Sequence, residues 1–354
     1  MTEIDFHKLK IGYAIANEDI NIPAYRRRFG YYLKRRGISW EVADIRKSYD
    51  LVVVHHSSDI TAWKDYDKAK IIMDYNDDYL SGGIRRDVKN RGRGLAKFVL
   101  RQWSGLELDY RNAYTKMMAR ADAIVCCTDA QEADARKYCV KVHQISDMQS
   151  DPDWIVKEKY DSGSTFNIVW EGLPGFEGIV TLVPTLRSFQ AKHDSALHLI
   201  TALKHGKYLR NVYQVHTKDE IARQLKLDNV FLYEWNPYLF SHIATACDLA
   251  IIPIDMSVPF LASKPSNKLI SFWRLAMPTL VSPTPAYVKL MNECELDMVC
   301  CSPEEWREKL DFFFVNKEAR RKTGTRGRQF VDENYSEEKL LEKWDEVLYS
   351  LLGN

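Results

Sequence analysis

Apolar and polar residues form blocks along the chain that predict strands and helices in alternation. In the first half, nearly continuous apolar runs predict strands at 10–16, 39–43, 51–56, 69–75 and 123–128. Helical spacing of apolar residues at 24–36 and 105–121 predicts helices. Strands that are apolar along their whole length are typical of parallel sheets covered on both faces. The first half is therefore predicted to be an α/β domain.

The second half restarts this order after a segment at about 150–165, in which Pro152, Ser162, Gly163 and Ser164 accumulate. Strands are predicted at 166–170, 196–203, 230–235, 249–254 and 279–281, and helices at 179–191 and 238–246. A glycine-rich turn, GLPGFEG, separates the first strand from its helix. In parallel α/β units, ligands bind beyond the carboxyl ends of the strands. Turns and loops at these ends are therefore the first places to look for a site.

The most informative such loop begins at Ser263 and precedes an apolar helical stretch at 269–276. It contains Lys264, Ser266, Asn267 and Lys268, which follow a predicted strand. Two ammonium groups and a helix N-terminus are suited to a diphosphate. The alternative interpretation is a solvated lysine loop before an ordinary core helix.

Composition restricts the class of protein. The 354 residues suggest about two domains, and a net charge of +1 gives no reason to expect nucleic-acid binding. Seven cysteines, without any C-x-x-C spacing, predict reduced thiols and a cytoplasmic protein. The N-terminus lacks a signal-peptide core, and no run approaches the ~18 apolar residues of a membrane span.

Several segments together resemble the GT-B glycosyltransferases, and most closely the large retaining family four. In the second half these are the glycine-rich turn, KPSNKLI followed by MPTLVS, and NYS before an amphipathic terminal helix. In the first half, KIIMDYNDDYL and MMARADAIVCCT are similar to acceptor domains of bacterial surface-polysaccharide transferases. The resemblance implies an α/β fold of two Rossmann-like domains that face each other across a cleft. Its expected bounds are 1–155 for an acceptor domain, 165–335 for a donor domain, and 336–354 for a helix returning to the first domain.

The activity that this resemblance implies is transfer of a hexosyl or related sugar from a nucleotide-sugar donor to a glycan. The acceptor would be a glycan or lipid-linked glycan of bacterial polysaccharide or lipopolysaccharide synthesis. The protein would be cytoplasmic and could lie at the inner face of the membrane. Such enzymes need no metal and no further cofactor. Two alternatives remain open: a nucleotide-sugar epimerase of the same architecture, and an inactive glycan-binding protein.

The sequence departs from the family pattern at two acidic positions. Where the family has two glutamates separated by seven residues, this chain has Ser263 and Ser271. The family's basic pair after the first donor-domain strand is also missing, and Glu171 and Glu177 lie in that neighbourhood. Ser271 would offer the donor ribose only a hydroxyl contact.

Further donor-side candidates follow two strands of the second half. Gly172 lies in the turn after the first strand, where glycines let backbone amides approach a phosphate. Trp235 follows a strand at a position that the family places near the nucleotide base, where its ring would stack. A tight turn and a core tryptophan are the alternative interpretations.

The first half offers acidic residues and histidines at strand ends. Asp77 and Asp78, close to Asp74, suggest a general base, a metal site or a helix cap. His55 and His56 end a buried strand, where one could act as a base or as a donor to the sugar. A structural role is the alternative for both groups.

A basic run occupies residues 85–103. Seven cations oppose one acid, Asp87, and apolar residues at 98–100 and 103 interrupt the run. A solvated surface is one interpretation, and contact with an anionic glycan, lipid diphosphate or membrane surface is the other.

Overall fold

The computed structural model describes residues 5–16, 19, 22–80, 88–148, 154–173, 176–208 and 213–353, without the side chains of 88–91, 207, 208 and 213. The chain divides into two compact units. The first comprises Met1–Met148, Ser263–Pro265 and Glu337–Asn354, and the second comprises Gln149–Ala262 and Ser266–Ser336.

The first unit is built on a parallel sheet. Its described strands are β1 (Ile11–Ala14), β2 (Glu41–Val42), β3 (Leu51–His55), β4 (Lys70–Tyr75), β5 (Ala123–Cys126) and β6 (Val142–Gln144). They pair in the order β2-β1-β3-β4-β5-β6, and each pair is parallel. All residues of β1, β3 and β5 are buried, which confirms the parallel, covered sheet that their apolar runs predict. The chain runs from β1 to β2 on one side and then crosses to β3 on the other side of β1. The sheet therefore has a switch point between β1 and β3.

Helices cover this sheet. They are α1 (Pro23–Arg26), α2 (Phe29–Arg36), α3 (Ile60–Trp63), α4 (Val88–Val99), α5 (Tyr110–Arg120) and α6 (Asp129–Ala135), with a short 3-10 helix at Phe6–Lys8. The single helix predicted at 24–36 is in fact two helices. Arg28 separates them with φ −124° and ψ −135°, and its side chain is buried against Asp74. The pattern at 105–121 predicted α5 but not its start at Tyr110, and α4 was not predicted as a helix.

The second unit contains another parallel sheet and a hairpin. Its described strands are β7 (Phe166–Glu171), β8 (Ser195–Thr201), β9 (Lys204–Tyr208), β10 (Tyr213–His216), β11 (Val230–Glu234), β12 (Leu249–Ile252) and β13 (Thr279–Val281). The parallel order is β11-β8-β7-β12-β13, with a switch point between β7 and β12. The antiparallel pair β9-β10 was not predicted, because its segment lacks a continuous apolar run.

The helices of the second unit are α7 (Glu177–Gln190), α8 (Thr217–Gln224), α9 (Phe240–Ala246), α10 (Pro259–Ala262), α11 (Asn267–Arg274), α12 (Pro285–Glu293), α13 (Pro303–Val315) and α14 (Lys317–Asn334). Helix α11 packs on α14, where a Cβ added to Gly327 would lie 2.7 Å from the Trp273 ring. Close packing of this kind fixes the position of α11, whose first turn contains Lys268.

The terminal helix α15 (Glu337–Leu352) belongs to the first unit. Its buried Trp344 lies 5.1 Å from the Phe29 ring on α2, centroid to centroid. Asp345 accepts hydrogen bonds from Tyr32 and Arg36, at 2.8 and 2.5 Å. An apolar face with a polar anchor thus holds α15 on α2. Among the described helices, none combines the length and the apolar character that crossing a bilayer requires.

Candidate functional site

Lys268 is in the first turn of α11, and its ammonium group lies at the carboxyl end of β7. Its Nζ donates to the carbonyl oxygen of Glu171 at 3.0 Å and lies 5.3 Å from the centroid of the Trp170 ring. These two contacts hold the ammonium group beside the switch point of the second sheet. A cation in this place can bind an anion that approaches the strand ends.

Gly172 follows β7 and is packed against the same lysine. A Cβ added there would lie 2.4 Å from the Trp170 ring and 2.6 Å from the Lys268 Nζ. The Gly172 amide donates to the Ile200 carbonyl at 3.2 Å, so it extends the pairing of β7 with β8. Position 172 therefore requires glycine because the Trp170 and Lys268 side chains leave no room for a Cβ atom.

Gly178, in the first turn of α7, is also required by packing. A Cβ at this position would lie 1.9 Å from the carbonyl oxygen of Pro253, which follows β12. This contact brings the start of α7 against the end of β12. Gly175, in the same glycine-rich turn, lies outside the described residues.

Two helices thus begin at this edge of the sheet. Helix α7 is preceded by Phe176, with φ +58°, and helix α11 is preceded by Ser266, which is 8% exposed. Neither N-cap side chain hydrogen-bonds to its helix. A helix N-terminus attracts anions through its first amides and its dipole. The edge therefore combines two positive helix ends with the Lys268 ammonium group.

The other donor-side candidates have the following contacts. Ser271 donates its hydroxyl to the Asn267 carbonyl at 2.9 Å, one turn earlier on α11. Trp235 is partly buried against the core, and its amide donates to the Thr201 carbonyl at 3.0 Å. Lys264 is grouped with the first unit, whereas Ser266, Asn267 and Lys268 belong to the second.

Sequence reasoning missed a polar row across the second sheet. His198 on β8 hydrogen-bonds to Asn167 on β7 at 2.9 Å and to the Tyr233 hydroxyl on β11 at 3.1 Å. Burial lowers the pKa of His198. The sequence held one signal for this row: Asn167, His198 and Tyr233 each place a polar group within a largely apolar strand.

In the first unit, His55 and His56 lie at the carboxyl end of β3, beside the switch point. They are 0% and 5% exposed. Burial lowers the pKa of each imidazole to about 3, with a further contribution from the Arg28 charge for His55 and from His55 for His56. Both side chains are therefore neutral at physiological pH.

The tautomer of His55 follows from its contacts with Ser57. The Ser57 amide donates to Nδ1 at 3.2 Å, and the Ser57 hydroxyl lies 2.7 Å from the same nitrogen. Nδ1 is thus the acceptor, and the proton resides on Nε2. Among the described residues, the buried Nε2 has no hydrogen-bond partner. The Nε2–H of His55 is therefore a hydrogen-bond donor. The other ring nitrogen, Nδ1, already accepts from Ser57, so the ring is not arranged to act as a base.

Asp77 lies between the neutral His56 imidazole and the Lys264 ammonium group of the first unit. Its carboxylate oxygens are 3.7 Å from His56 Nε2 and 3.4 Å from Lys264 Nζ. The side chain is 32% exposed, so solvent or a ligand can reach it. Asp78 is 3% exposed and accepts from the Tyr75 hydroxyl at 3.4 Å. Of the two carboxylates, Asp77 is the accessible one.

Sequence reasoning did not single out Arg28, whose side chain lies at the carboxyl edge of the first sheet. It pairs with Asp74 on β4 at 2.5 Å, with Asp147 at 3.3 Å, and donates to the Cys127 sulfur at 3.1 Å. The guanidinium is buried, and the nearby carboxylates hold its pKa well above the ordinary value despite that burial. Arg28 therefore provides a permanent positive charge beneath His55.

The basic run is only partly described. Residues 85–87 and the side chains of 88–91 lie outside the described residues. The Arg93 guanidinium lies 4.8 Å from the Tyr110 ring centroid, and Lys97 Nζ lies 4.8 Å from that of Trp103. Across the described parts of the chain, no group of three or more His, Cys, Asp or Glu side chains is arranged to hold a metal ion.

Comparison with solved structures identifies the architecture. TarM superposes with a TM-score of 0.58 at 12% identity, over 86% of this chain and 55% of TarM. A glycosyltransferase from Rickettsia africae gives 0.56 at 13% identity, over 96% of this chain and 84% of that one. The pneumococcal O-GlcNAc transferase GtfA gives 0.53 at 12%, over 86% and 57%.

The chain spans little more than half the length of TarM and of GtfA. No protein-family model and no curated protein matches the sequence. Structural similarity at such low sequence identity establishes the fold of the chain and does not identify its substrates. With two parallel α/β sheets of this order, the chain has the GT-B fold of these glycosyltransferases.

Proposed function

We propose that the protein is a glycosyltransferase that moves a sugar from a nucleotide-sugar donor to a glycan acceptor. The observation that supports this most directly is the convergence at the switch point of the second sheet. Lys268 and the N-termini of α7 and α11 meet there, at the carboxyl ends of β7 and β12. Such a site suits the diphosphate of a nucleotide sugar.

In this proposal Lys268 stabilises the departing nucleoside diphosphate. Negative charge develops on the leaving phosphate as the glycosidic bond breaks, and a fixed ammonium group lowers the energy of that state. Glu171 and Trp170 keep the ammonium in place before the donor arrives. Ser266 and Asn267 begin the same helix and would add polar contacts, and Trp235 would stack on the base.

The first unit would contact the acceptor and the transferred sugar. His55 is 0% exposed and stays neutral over the physiological pH range, so it would support this edge of the sheet from beneath and would not itself contact the sugar. Asp77 can orient or deprotonate an acceptor hydroxyl, since it is the exposed carboxylate of the acidic loop. Asp78 would support that loop from its buried position.

The ligands in two related structures agree with this class of substrate. One structure of S. aureus TarM contains UDP and a GlcNAc-glycerol, and one of GtfA contains UDP and GlcNAc. For the present protein we propose a nucleotide sugar as donor. We further propose, from the sequence resemblance, an acceptor in bacterial polysaccharide or lipopolysaccharide synthesis and activity without a metal.

The test is release of nucleoside diphosphate from a panel of nucleotide sugars, with and without candidate glycans. Lys268→Ala should weaken binding of a nucleoside diphosphate about tenfold to a hundredfold and leave binding of the bare nucleoside nearly unchanged. Lys322→Ala, on the exposed side of α14, is the matched control and should change neither. Equal losses for diphosphate and nucleoside would place Lys268 away from the phosphates.

Either of two experimental results would show a function other than glycosyl transfer. Conversion of the donor alone into an isomeric nucleotide sugar would identify an epimerase. Glycan binding without turnover, and without any effect of nucleotides on thermal stability, would identify an inactive glycan-binding protein. Ser263 and Ser271 motivate the second test, because they replace the two family glutamates.

A further inference from the structure

The loop that follows β4 is tied to a buried hydroxyl group. Tyr75, the last residue of β4, is 0% exposed. Its hydroxyl oxygen accepts hydrogen bonds from the backbone amides of Tyr79 and Leu80, at 2.9 and 3.0 Å. The same hydroxyl donates to the Asp78 carboxylate at 3.4 Å. One side chain thus binds three successive residues of the segment 76–80, which we call the acidic loop.

These contacts use the full hydrogen-bonding capacity of the Tyr75 hydroxyl. A phenol offers one hydrogen and two lone pairs, and here two amides occupy the lone pairs while a carboxylate accepts the hydrogen. Burial raises the pKa of Tyr75, and the Asp78 charge raises it further, so the hydroxyl keeps its hydrogen at physiological pH. The group is therefore committed to the acidic loop and is not free to act on a substrate.

Helix α5 holds the far end of the acidic loop. Arg111 donates through Nη1 to the carbonyl oxygen of Leu80. Tyr114, three residues later on the same helix, donates its hydroxyl to the His56 carbonyl at 3.0 Å. Its ring also stacks on that of Tyr79, with 5.1 Å between the centroids. The chain segments that follow β3 and β4 are therefore fixed relative to each other through one helix.

Asp77 depends on this support because its own side-chain contacts are long. Its carboxylate oxygens lie 3.7 Å from His56 Nε2 and 3.4 Å from Lys264 Nζ, beyond the usual ~3.2 Å of an N–H···O hydrogen bond. Its backbone is held more closely, since the Asp77 carbonyl accepts at 3.0 Å from the Tyr79 amide, the same amide that Tyr75 binds. The position of the carboxylate therefore depends mainly on the acidic loop.

We propose that Tyr75 is a positioning residue of the acceptor side of the site. Its hydroxyl fixes the acidic loop and thereby sets where the Asp77 carboxylate meets an acceptor hydroxyl, and Arg111 is the second anchor. A displacement of ~1 Å at a catalytic group can lower the rate about a hundredfold, so such anchors matter for turnover. This role rests on the proposed function, in which Asp77 acts on the acceptor hydroxyl.

The first test is the variant Tyr75→Phe, which keeps the ring and removes the hydroxyl. In the full-length protein, kcat for transfer to the acceptor should fall about tenfold to a hundredfold. The KM of the donor and the affinity for a nucleoside diphosphate should stay the same, because Lys268 belongs to the other unit. Thermal unfolding will confirm that the variant is folded at the assay temperature.

A double-variant cycle separates positioning from a general loss of structure. If the hydroxyl acts through the Asp77 carboxylate, Tyr75→Phe should change kcat little once Asp77→Asn is already present. A general disturbance of the fold would instead lower kcat by the same factor in both backgrounds.

The matched control is Tyr66→Phe. Tyr66 is also buried, and its hydroxyl donates to the Lys47 carbonyl at 2.8 Å, ahead of β4 in the chain. This variant should lose stability and keep the kcat of the wild type. Should Tyr75→Phe fail to fold, Arg111→Met provides the test, because Arg111 is only partly buried and its loss frees the Leu80 carbonyl. It should give the same pattern of kcat and KM.

Three results would overturn the inference in a protein that transfers sugar. They are an unchanged kcat in folded Tyr75→Phe, equal losses with and without Asp77→Asn, and a loss confined to nucleotide affinity. A wild-type protein that transfers sugar from no donor would defeat the proposed function, and this inference with it.

Discussion

Arg28 and Asp74 form an ion pair inside the first unit, with Nη2 2.5 Å from Oδ1 and side chains 1% and 0% exposed. The pair joins the loop between α1 and α2 to the carboxyl end of β4. Arg28 also donates to the Ile145 carbonyl at 2.6 Å, beyond the end of β6. One side chain thus connects three segments at the edge that contains His55.

Replacing Asp74 with alanine should lower the free energy of unfolding by about 3–5 kcal/mol, because Arg28 would remain buried without its principal partner. Chemical denaturation will measure this loss. Asp44→Ala is the matched control, since Asp44 pairs with Arg46, whose side chain is 86% exposed. Loss of that solvent-exposed pair should change the free energy of unfolding little, and equal losses for the two variants would contradict the interpretation.

Stability should fall with pH below about 6.5. The folded pKa values of His55 and His56 are about 3, so the unfolded chain takes up two protons that the folded chain excludes. The contribution is complete above pH ~6.5 and is lost progressively as the pH falls towards ~3.

Denaturation of His55→Gln at several pH values will test this, since the variant should show a shallower dependence than the wild type. Identical slopes for the two proteins would show that His55 is accessible to protons in the folded state.

Gly172→Ala should disturb the predicted donor site. The new methyl would overlap the Trp170 ring and the Lys268 ammonium, so one of them must move. We expect weaker binding of nucleoside diphosphate, measured by calorimetry, together with lower stability. Gly163→Ala is the control, because a Cβ there meets nothing within 4 Å. Unchanged diphosphate affinity in Gly172→Ala would separate this glycine from the site.

Asp77→Asn should reduce turnover by about 10²–10⁴ with donor affinity nearly unchanged, if the carboxylate acts on the acceptor hydroxyl. Asp78→Asn should instead lower the melting temperature, because Asp78 is buried beside Tyr75. Steady-state kinetics and thermal unfolding of both variants distinguish the two roles. Activity that EDTA abolishes and added metal restores would contradict metal independence.

Cys301 should be the first cysteine to react with a thiol reagent in the native protein. It is exposed, whereas five of the seven cysteines are buried and Cys127 is half-buried beneath Arg28. Burial also raises the pKa of Cys300 to about 12, which disfavours its reactive thiolate. Labelling followed by mass spectrometry should find one rapid site that Cys301→Ser removes and Cys300→Ser preserves.

The sequence by itself determined the parallel strands and placed several candidate site residues at their carboxyl ends. Continuous apolar runs at β3, β4 and β12 predict buried strands because alternation is absent, and the residues that follow each run must then lie at one edge of a sheet. His55 became a candidate in this way, and Lys268 became one because it lies in the loop that joins a predicted strand to the next helix. Neither requires knowledge of distant contacts.

Only the tertiary structure decided which polar groups meet. Arg28 lies in a helical pattern, and nothing local indicates that it leaves the helix to pair with Asp74, forty-six residues away. The tautomer of His55 depends on a turn at Ser57, and the glycine at position 172 is explained by Trp170 and Lys268. The acidic loop likewise depends on Arg111, which is thirty-one residues away from the Leu80 carbonyl that it contacts. Local periodicity specifies which residues form an element, whereas contacts between residues distant in sequence depend on how the elements pack.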